Sequence, residues 1–357
     1  MPEILREPVR DASAWTGADL AADTSWRVAI GEEQRASLLA GLAVVQERGL
    51  WLPQMSAADF PVDAALKDLV GRIRSDVRDG RGFIVLDGFP VEELSVDEIR
   101  LMYWGLALQL GTCLSQDARA ALVADVWDRG TIKTPLKRVY GTKRRAPLHV
   151  DLADVVGLLC VRQAASGAPT TLASSAAVYN DFLRERPELL PALYEGFVWD
   201  RFNENKPTEE ATSGRRIPVF SYAGGQLSCR YNRPWMTGPF ERAGRKPTNE
   251  ETVVFDTFDA FADRNRLVVE LRPGQLYFAS NYTVLHGRAE YAEETRDLAE
   301  KRHMLRIWLN MPGMRSFADE DTVRFGLMRH GNLGWTGREI LARRHLDPKA
   351  ERVMLEA

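Results

Sequence analysis

Residues 148–162, LHVDLADVVGLLCVR, place a histidine and an aspartate directly before an apolar run. His149 and Asp151 are two positions apart, and residues at this spacing project from one face of an extended chain. The run from 155 to 161 is apolar enough to predict a buried strand. An imidazole and a carboxylate side by side supply two members of a two-histidine, one-carboxylate site, which suits non-haem Fe(II). The stretch therefore predicts a core strand preceded by two candidate metal ligands.

The H-x-D pattern alone is not specific, because a solvated loop histidine followed by a turn-capping aspartate gives the same letters. A second copy, His345 and Asp347, lies in a segment rich in helix formers and basic residues, directly before Pro348. Residues i and i+2 diverge around a helix axis, so this copy predicts a helix C-terminus and no metal site. A metal site at the first copy needs a third ligand from elsewhere in the chain.

The best third ligand by context is His286, one of five histidines. It ends a strand-like run and is followed by a glycine, a setting that places an imidazole at the mouth of a β-core. A buried histidine satisfied by hydrogen bonds is the alternative. Arg302 and Arg306 lie at i and i+4 in another strand-like segment and so share a face. Arginine suits bidentate carboxylate recognition, although exposed arginines on an edge strand give the same pattern.

The composition is typical of a soluble globular protein, with 45% hydrophobic and 27% charged residues. A formal net charge of -3 gives no electrostatic reason to expect nucleic acid or an anionic membrane as partner. Charges interrupt the N-terminal stretch where a secretory signal would be apolar, and no apolar run approaches the roughly 20 residues of a membrane span. Three widely spaced cysteines do not indicate a disulfide framework. We expect a cytoplasmic protein, and a homo-oligomer is compatible with the sequence.

Hydrophobic spacing predicts helices in the N-terminal part of the chain and short strands after it. Ser95 and Glu98 form the pattern of a capping box at the start of one such helix. From residue 121 onward, strand-like segments separated by turn residues indicate a sandwich or barrel. We expect a single domain over 1–357, with a mainly helical portion over about 1–115 and a short helical tail over about 318–357.

With these residues in place, the chain resembles the taurine dioxygenase (TauD/TfdA) family of Fe(II)/2-oxoglutarate-dependent oxygenases. That family shows an H-x-D pair, a threonine downstream, a distant histidine and an R-x-x-x-R pair beyond it. The resemblance covers roughly residues 148–312. It implies an α+β protein with a mainly β core, a double-stranded β-helix (jelly-roll, cupin-like) flanked by helices.

The resemblance also implies the cofactors and the activity. His149, Asp151 and His286 match the catalytic iron ligands, with 2-oxoglutarate and O2 as cosubstrates. The implied reaction is hydroxylation, desaturation or cyclisation of a small carboxylated molecule, such as an amino acid or natural-product intermediate, with succinate and CO2 as co-products. A non-catalytic small-molecule-binding protein on the same β core and a hydroxylase of a macromolecule are the alternatives.

Further residues match positions around the cosubstrate. Arg302 matches the arginine that pairs with the distal carboxylate of 2-oxoglutarate, and Thr171 matches the threonine that supports it, with the adjacent Thr170 as the alternative. Arg306 matches a position that reaches the cosubstrate or an anionic substrate group. The insert between His286 and Arg302 is longer than in some relatives.

Candidate substrate residues follow from position along the chain. Arg230 and Asn232 share a face if the strand through them is regular, although an exposed polar face gives the same pattern. Arg288 is a third candidate for contact with substrate. Asn281 and Arg288 are also expected to orient His286, because metal-bound histidines are usually held by a further polar group.

Overall fold

The computed structural model describes residues 4–128, 142–164, 166–292, 297, 300–319 and 327–344. Within these ranges the helices are α1 (Gly17–Ala22), α2 (Glu32–Glu47), α3 (Ala64–Arg78), α4 (Val96–Leu110), α5 (Ser175–Glu185), α6 (Leu190–Glu195), α7 (Arg233–Arg242), α8 (Asn249–Arg264) and α9 (Gly337–Arg344). Short 3-10 helices lie at Leu52–Gln54, Ala57–Asp59 and Pro187–Leu189. The second H-x-D pair and part of the predicted C-terminal tail lie outside the described residues.

The described strands are β1 (Arg27–Ala29), β2 (Phe83–Asp87), β3 (Thr112–Leu114), β4 (Val123–Val126), β5 (Ala146–His149), β6 (Val155–Arg162), β7 (Ser166–Gly167), β8 (Thr170–Ser174), β9 (Phe197–Asp200), β10 (Thr212–Ile217), β11 (Phe220–Ala223), β12 (Gln226–Cys229), β13 (Leu267–Val269), β14 (Gln275–Ser280), β15 (Val284–Arg288), β16 (Tyr291–Ala292) and β17 (His303–Asn310).

Two main sheets organise these strands. The larger has the order β1-β2-β14-β6-β17-β3, with β4 also paired to β17, and the smaller has the order β13-β8-β15-β5. Their neighbours are antiparallel except for the parallel β1–β2 pair. Leu148 and Leu172 of the smaller sheet join Val156, Tyr277 and Trp308 of the larger in one apolar cluster. This two-sheet arrangement is a jelly roll, or double-stranded β-helix, and it confirms the expected fold class.

The N-terminal helices cover the other face of the larger sheet. The predicted capping box is present, since Ser95 Oγ accepts from the Glu98 N–H while the Glu98 carboxylate accepts from the Ser95 N–H. Leu305, Ile307 and Leu309 of β17 pack into a second apolar cluster that includes residues of α2, α3 and α4. Because side chains alternate along a strand, β17 lies between two cores and contributes to both.

The segment containing Arg230 and Asn232 differs from the expectation. It was predicted as a strand that continues into a turn, but β12 ends at Cys229 and Asn232 is the N-cap of α7. Pro234 lies in the first turn of this helix, where its missing N–H costs no intrahelical hydrogen bond.

The three cysteines are buried free thiols, in agreement with the absence of a disulfide pattern in the sequence. Burial raises the pKa of the Cys160 thiol to about 12. Among the described helices, none combines the length and the hydropathy that crossing a bilayer requires.

Candidate metal centre

Two neighbouring strands bring the predicted ligands together. β5 and β15 are antiparallel, and His149 and His286 are direct cross-strand partners, so both imidazoles project from one face. Their ring centroids are 4.5 Å apart. Asp151 follows β5 in a turn, where its backbone N–H donates to Asn281 Oδ1 at 2.9 Å. One donor atom from each of the three residues lies within 4.8 Å of the others, a spacing that could hold a metal ion.

The protonation states of His149 and Asp151 suit a cation. His149 Nδ1 is 2.7 Å from the carbonyl of Pro147, so this nitrogen carries the proton and Nε2 keeps a free lone pair. Burial, together with the nearby His286, lowers the pKa of His149 to about 4, which leaves a neutral imidazole at neutral pH. Burial alone would raise the pKa of Asp151, but Arg306 and the two imidazoles hold it well below its usual range. Two imidazoles and one carboxylate are the set that suits Fe(II).

The two carboxylate oxygens of Asp151 have different surroundings. Trp308 Nε1 donates to Oδ2 at 2.7 Å, and Arg306 Nη1 lies 3.6 Å from the same oxygen. The Arg306 guanidinium also lies 5.1 Å from the centroid of the Trp308 ring. Oδ1 lies 3.9 Å from His149 Nε2. Oδ2 lies 3.5 Å from His286 Nε2, so each carboxylate oxygen is near one of the two imidazoles. Sequence analysis missed Trp308, although it lies two residues after Arg306 and therefore on the same face.

A cavity adjoins the three donors, and apolar side chains form most of its wall. The described lining residues are Val126, Ala146, Pro147, His149, Val150, Asp151, Leu152, Val156, Leu158, Thr170, Phe202, Asn232, Pro234, Trp235, Tyr277, His286, Gly287, Arg288, Arg302, Arg306 and Trp308. Few polar groups converging in an apolar cavity are typical of small-molecule sites.

The strand register places Thr170, and not Thr171, in the cavity wall. β8 pairs with β15 so that Thr170 is opposite Arg288, Thr171 is opposite Gly287, and Leu172 is opposite His286. Cross-strand partners share a face, so Thr170 lies on the face of the histidine and the arginine. Thr171 lies on the opposite face. Of the two threonines that the sequence offers as support for 2-oxoglutarate, Thr170 is therefore the one that lines the cavity.

Arg302 and Arg306 both line the cavity and are both buried, with 1% and 7% of their surface exposed. Arg302 Nε lies 3.2 Å from Gln163 Oε1, and Arg306 Nε donates to Gln116 Oε1 at 2.8 Å. Arg288 also lines the cavity, and burial together with the charge of Arg302 lowers its pKa to about 10. Three guanidinium groups at one apolar cavity favour an anionic occupant.

Arg230 and Asn281 have roles that differ from those expected. Arg230 is not among the described lining residues; its Nη1 donates to the Asp151 carbonyl at 2.7 Å and its guanidinium lies 5.0 Å from the Tyr282 ring centroid. The Asn281 side chain accepts from the Asp151 N–H and donates to the Ala153 carbonyl at 2.9 Å, so its hydrogen bonds go to the turn and not to His286. Both residues therefore hold the turn that presents Asp151. Asn232 and Arg288 do line the cavity.

A jelly-roll core with two imidazoles and a carboxylate beside an arginine-lined cavity defines the class of non-haem iron oxygenases. The model of the family described as "Taurine catabolism dioxygenase TauD, TfdA family" matches residues 50–308. The chain belongs to this family and is a dioxygenase that uses Fe(II), 2-oxoglutarate and O2.

Curated proteins and solved structures resemble the chain over most of its length. FR-33289 synthase of Streptomyces rubellomurinus is 32% identical over 92% of this chain and 98% of its own. The taurine hydroxylase-like protein SAT17 of Stachybotrys chartarum is 27% identical over 88% of this chain and 85% of its own. A structure of asparagine oxygenase with Fe(II), hydroxyasparagine and succinate has a TM-score of 0.62 at 18% identity, covering 80% of this chain and 93% of that one. The oxygenase OrfP with Fe and alpha-ketoglutaric acid has a TM-score of 0.58 at 15% identity, with the same coverage.

Proposed function

We propose that this dioxygenase hydroxylates a small carboxylated molecule, an amino acid or a natural-product intermediate, with succinate and CO2 as co-products. The observation that carries the proposal is the convergence of His149, Asp151 and His286 beside an arginine-lined cavity. The relatives support the substrate class. One is named for the synthesis of FR-33289, and the structures of asparagine oxygenase and OrfP contain hydroxylated asparagine and hydroxylated arginine.

The three converging side chains would hold the iron through His149 Nε2, the Asp151 carboxylate and the His286 imidazole. Ferrous iron bound together with 2-oxoglutarate supplies the chemistry that activates dioxygen. The protein's own part is to fix the donors and exclude water. The hydrogen bond that His149 Nδ1 donates to the Pro147 carbonyl and the one that Trp308 Nε1 donates to Asp151 fix the orientation of two metal ligands.

Arg302 and Thr170 would hold the distal carboxylate of 2-oxoglutarate. Arg302 offers a rigid fork of donors at a buried position, and Thr170 adds a hydroxyl at 2% exposure on the same cavity. Arg306, which lies beside Asp151, would contact the cosubstrate or an anionic group of the substrate. The apolar lining strengthens each of these contacts, because charge–charge attraction grows as water is excluded.

Anaerobic titration with Fe(II) and 2-oxoglutarate tests the assignment, because the chelate has a weak visible charge-transfer band. We expect the band in the wild type and its loss in His149→Ala, Asp151→Ala and His286→Ala, together with loss of substrate-dependent succinate formation. Asp154→Asn is the matched control. Asp154 is a buried carboxylate three residues from Asp151 that accepts from the Tyr282 hydroxyl at 2.8 Å and does not line the cavity. A full band in any of the three alanine variants would contradict the ligand assignment.

A further inference from the structure

One part of the cavity wall comes from outside the two main sheets. Phe202 follows β9, and Asn232, Pro234 and Trp235 lie at the start of α7; these four residues are called the aromatic wall below. The Phe202 and Trp235 rings are stacked, with centroids 5.5 Å apart and an interplanar angle of 19°. The two side chains are 9% and 6% exposed. The aromatic wall therefore adds an aromatic surface to the cavity that the metal donors also line.

The backbone at Phe202 is strained in a way that serves this surface. Phe202 and Asn203 have φ angles of 51° and 60°, in the left-handed region that bulky residues avoid. Such strain persists only where the surroundings enforce it, and it concentrates at functional sites. Here the Phe202 N–H donates to Asp200 Oδ1 at 2.7 Å, and Arg242 of α7 donates to both oxygens of the same carboxylate. The loop and α7 are thus tied together with the Phe202 ring turned into the cavity.

The charges of the cavity restrict what can lie against the aromatic wall. Asp151 is the sole carboxylate among the described lining residues, and one of its oxygens is bound by Trp308. Although aromatic faces attract cations, a cationic group there would find no free carboxylate and would share the cavity with three arginines, which is costly. Asn232, the N-cap residue of α7, is 9% exposed and its side chain makes no capping hydrogen bond, so its amide is available to a polar group of a ligand.

We propose that Phe202 and Trp235 select the substrate, and that the molecule oxidised here is an organic anion with an uncharged apolar group packed on these rings. Asn232 hydrogen-bonds a polar group beside that apolar part. The proposal rests on the proposed function, because it requires a cavity loaded with metal and 2-oxoglutarate. It excludes substrates whose far end is an ammonium or a guanidinium group.

Hexanoate and 6-aminohexanoate form a matched pair of probes, because they differ by one ammonium group. A third probe, 3-phenylpropanoate, is an apolar acid that carries a planar ring. Calorimetric titration of the anaerobic protein loaded with Mn(II) and 2-oxoglutarate measures their binding without turnover. We expect both apolar acids to bind at least about tenfold more tightly than 6-aminohexanoate. Equal affinities, tighter binding of 6-aminohexanoate, or no binding of either apolar acid at millimolar concentration would overturn the proposal. Failure of Mn(II) and 2-oxoglutarate to bind in the loading step would instead contradict the proposed function.

Variants of the aromatic wall test which residues are responsible. Phe202→Gly removes the ring and tolerates the left-handed backbone, whereas Asn203→Gly relieves the same kind of strain and leaves the ring in place. We expect the affinity for 3-phenylpropanoate to fall about tenfold or more in Phe202→Gly and to stay unchanged in Asn203→Gly. Trp235→Leu changes the wall from the α7 side and should also weaken binding. Wild-type affinity in both ring variants, with folding checked by melting temperature, would refute the role of the wall.

Discussion

The contact between Trp308 and Asp151 predicts a measurable loss of metal affinity in Trp308→Phe. The indole donates to Oδ2 at 2.7 Å, and the two residues are 1% and 7% exposed. Phenylalanine keeps an aromatic ring beside Arg306 but removes the donor, so the carboxylate is free to rotate. A hydrogen bond to a buried charged group contributes about 1.5–3 kcal/mol, and about 1.4 kcal/mol is a tenfold change in affinity. We therefore expect metal affinity to fall about 10- to 100-fold.

Titration with Co(II), followed by its visible d–d absorption, measures both affinity and coordination geometry without turnover. The matched control is Trp104→Phe. Trp104 is 2% exposed in the second core, and its Nε1 has no hydrogen-bond partner among the described residues. This control removes the same atoms from a buried site and should leave Co(II) affinity at the wild-type value. A wild-type affinity and spectrum for Trp308→Phe would refute the reasoning, as would equal losses in the two variants.

Two further predictions concern the cosubstrate and acid stability. In succinate assays, Thr170→Val should raise the KM for 2-oxoglutarate about tenfold, because a hydrogen bond to a carboxylate is lost. Thr171→Val should leave this KM unchanged. The reverse result would contradict the assignment made from the strand register. Burial alone would raise the pKa of Asp125, but the bond from His303 and the charge of Arg100 hold it at about 2, below the ordinary 3.8. This stabilisation, about 2 kcal/mol, is present above about pH 4 and is lost as the pH falls towards about 2. Urea unfolding should therefore show that Asp125→Asn has a lower free energy of unfolding than the wild type at neutral pH and loses less of it over that acid range. An equal loss in the variant and the wild type over the acid range would count against the prediction.

The parts of the fold with a clear hydrophobic period were predictable from the sequence. The capping box of Ser95 and Glu98 begins α4, and the apolar run after Asp151 forms β6, which is buried on both faces. That His149 and His286 lie close together was also predictable. Each lies near the end of a strand-like run, and residues at strand ends of a β-core converge at its mouth.

Features that depend on register or on distant partners were not predictable. A shift of one residue moves a side chain to the other face of a sheet, which is why the motif could not separate Thr170 from Thr171. Strand alternation failed for Arg230, because β12 ends one residue before it. Trp308 and Asp151 are 157 positions apart, and the left-handed backbone of Phe202 is set by contacts with α7. Neither feature has a local pattern in the sequence.

The metal donors lie on the main sheets and in the turn after β5, whereas the aromatic wall lies on α7 and the segment after β9. This separation has a consequence for the evolution of the protein. Strand β9 pairs with β10 in a separate two-stranded sheet, so the aromatic wall shares no backbone ladder with β5, β15 or β17. Substitutions at Phe202 and Trp235 can alter the choice of molecule and leave the redox centre untouched, whereas Arg230, which holds the turn at Asp151, must be kept. Descendants of such a protein are free to acquire new substrates, and protein engineers have a defined segment to randomise first.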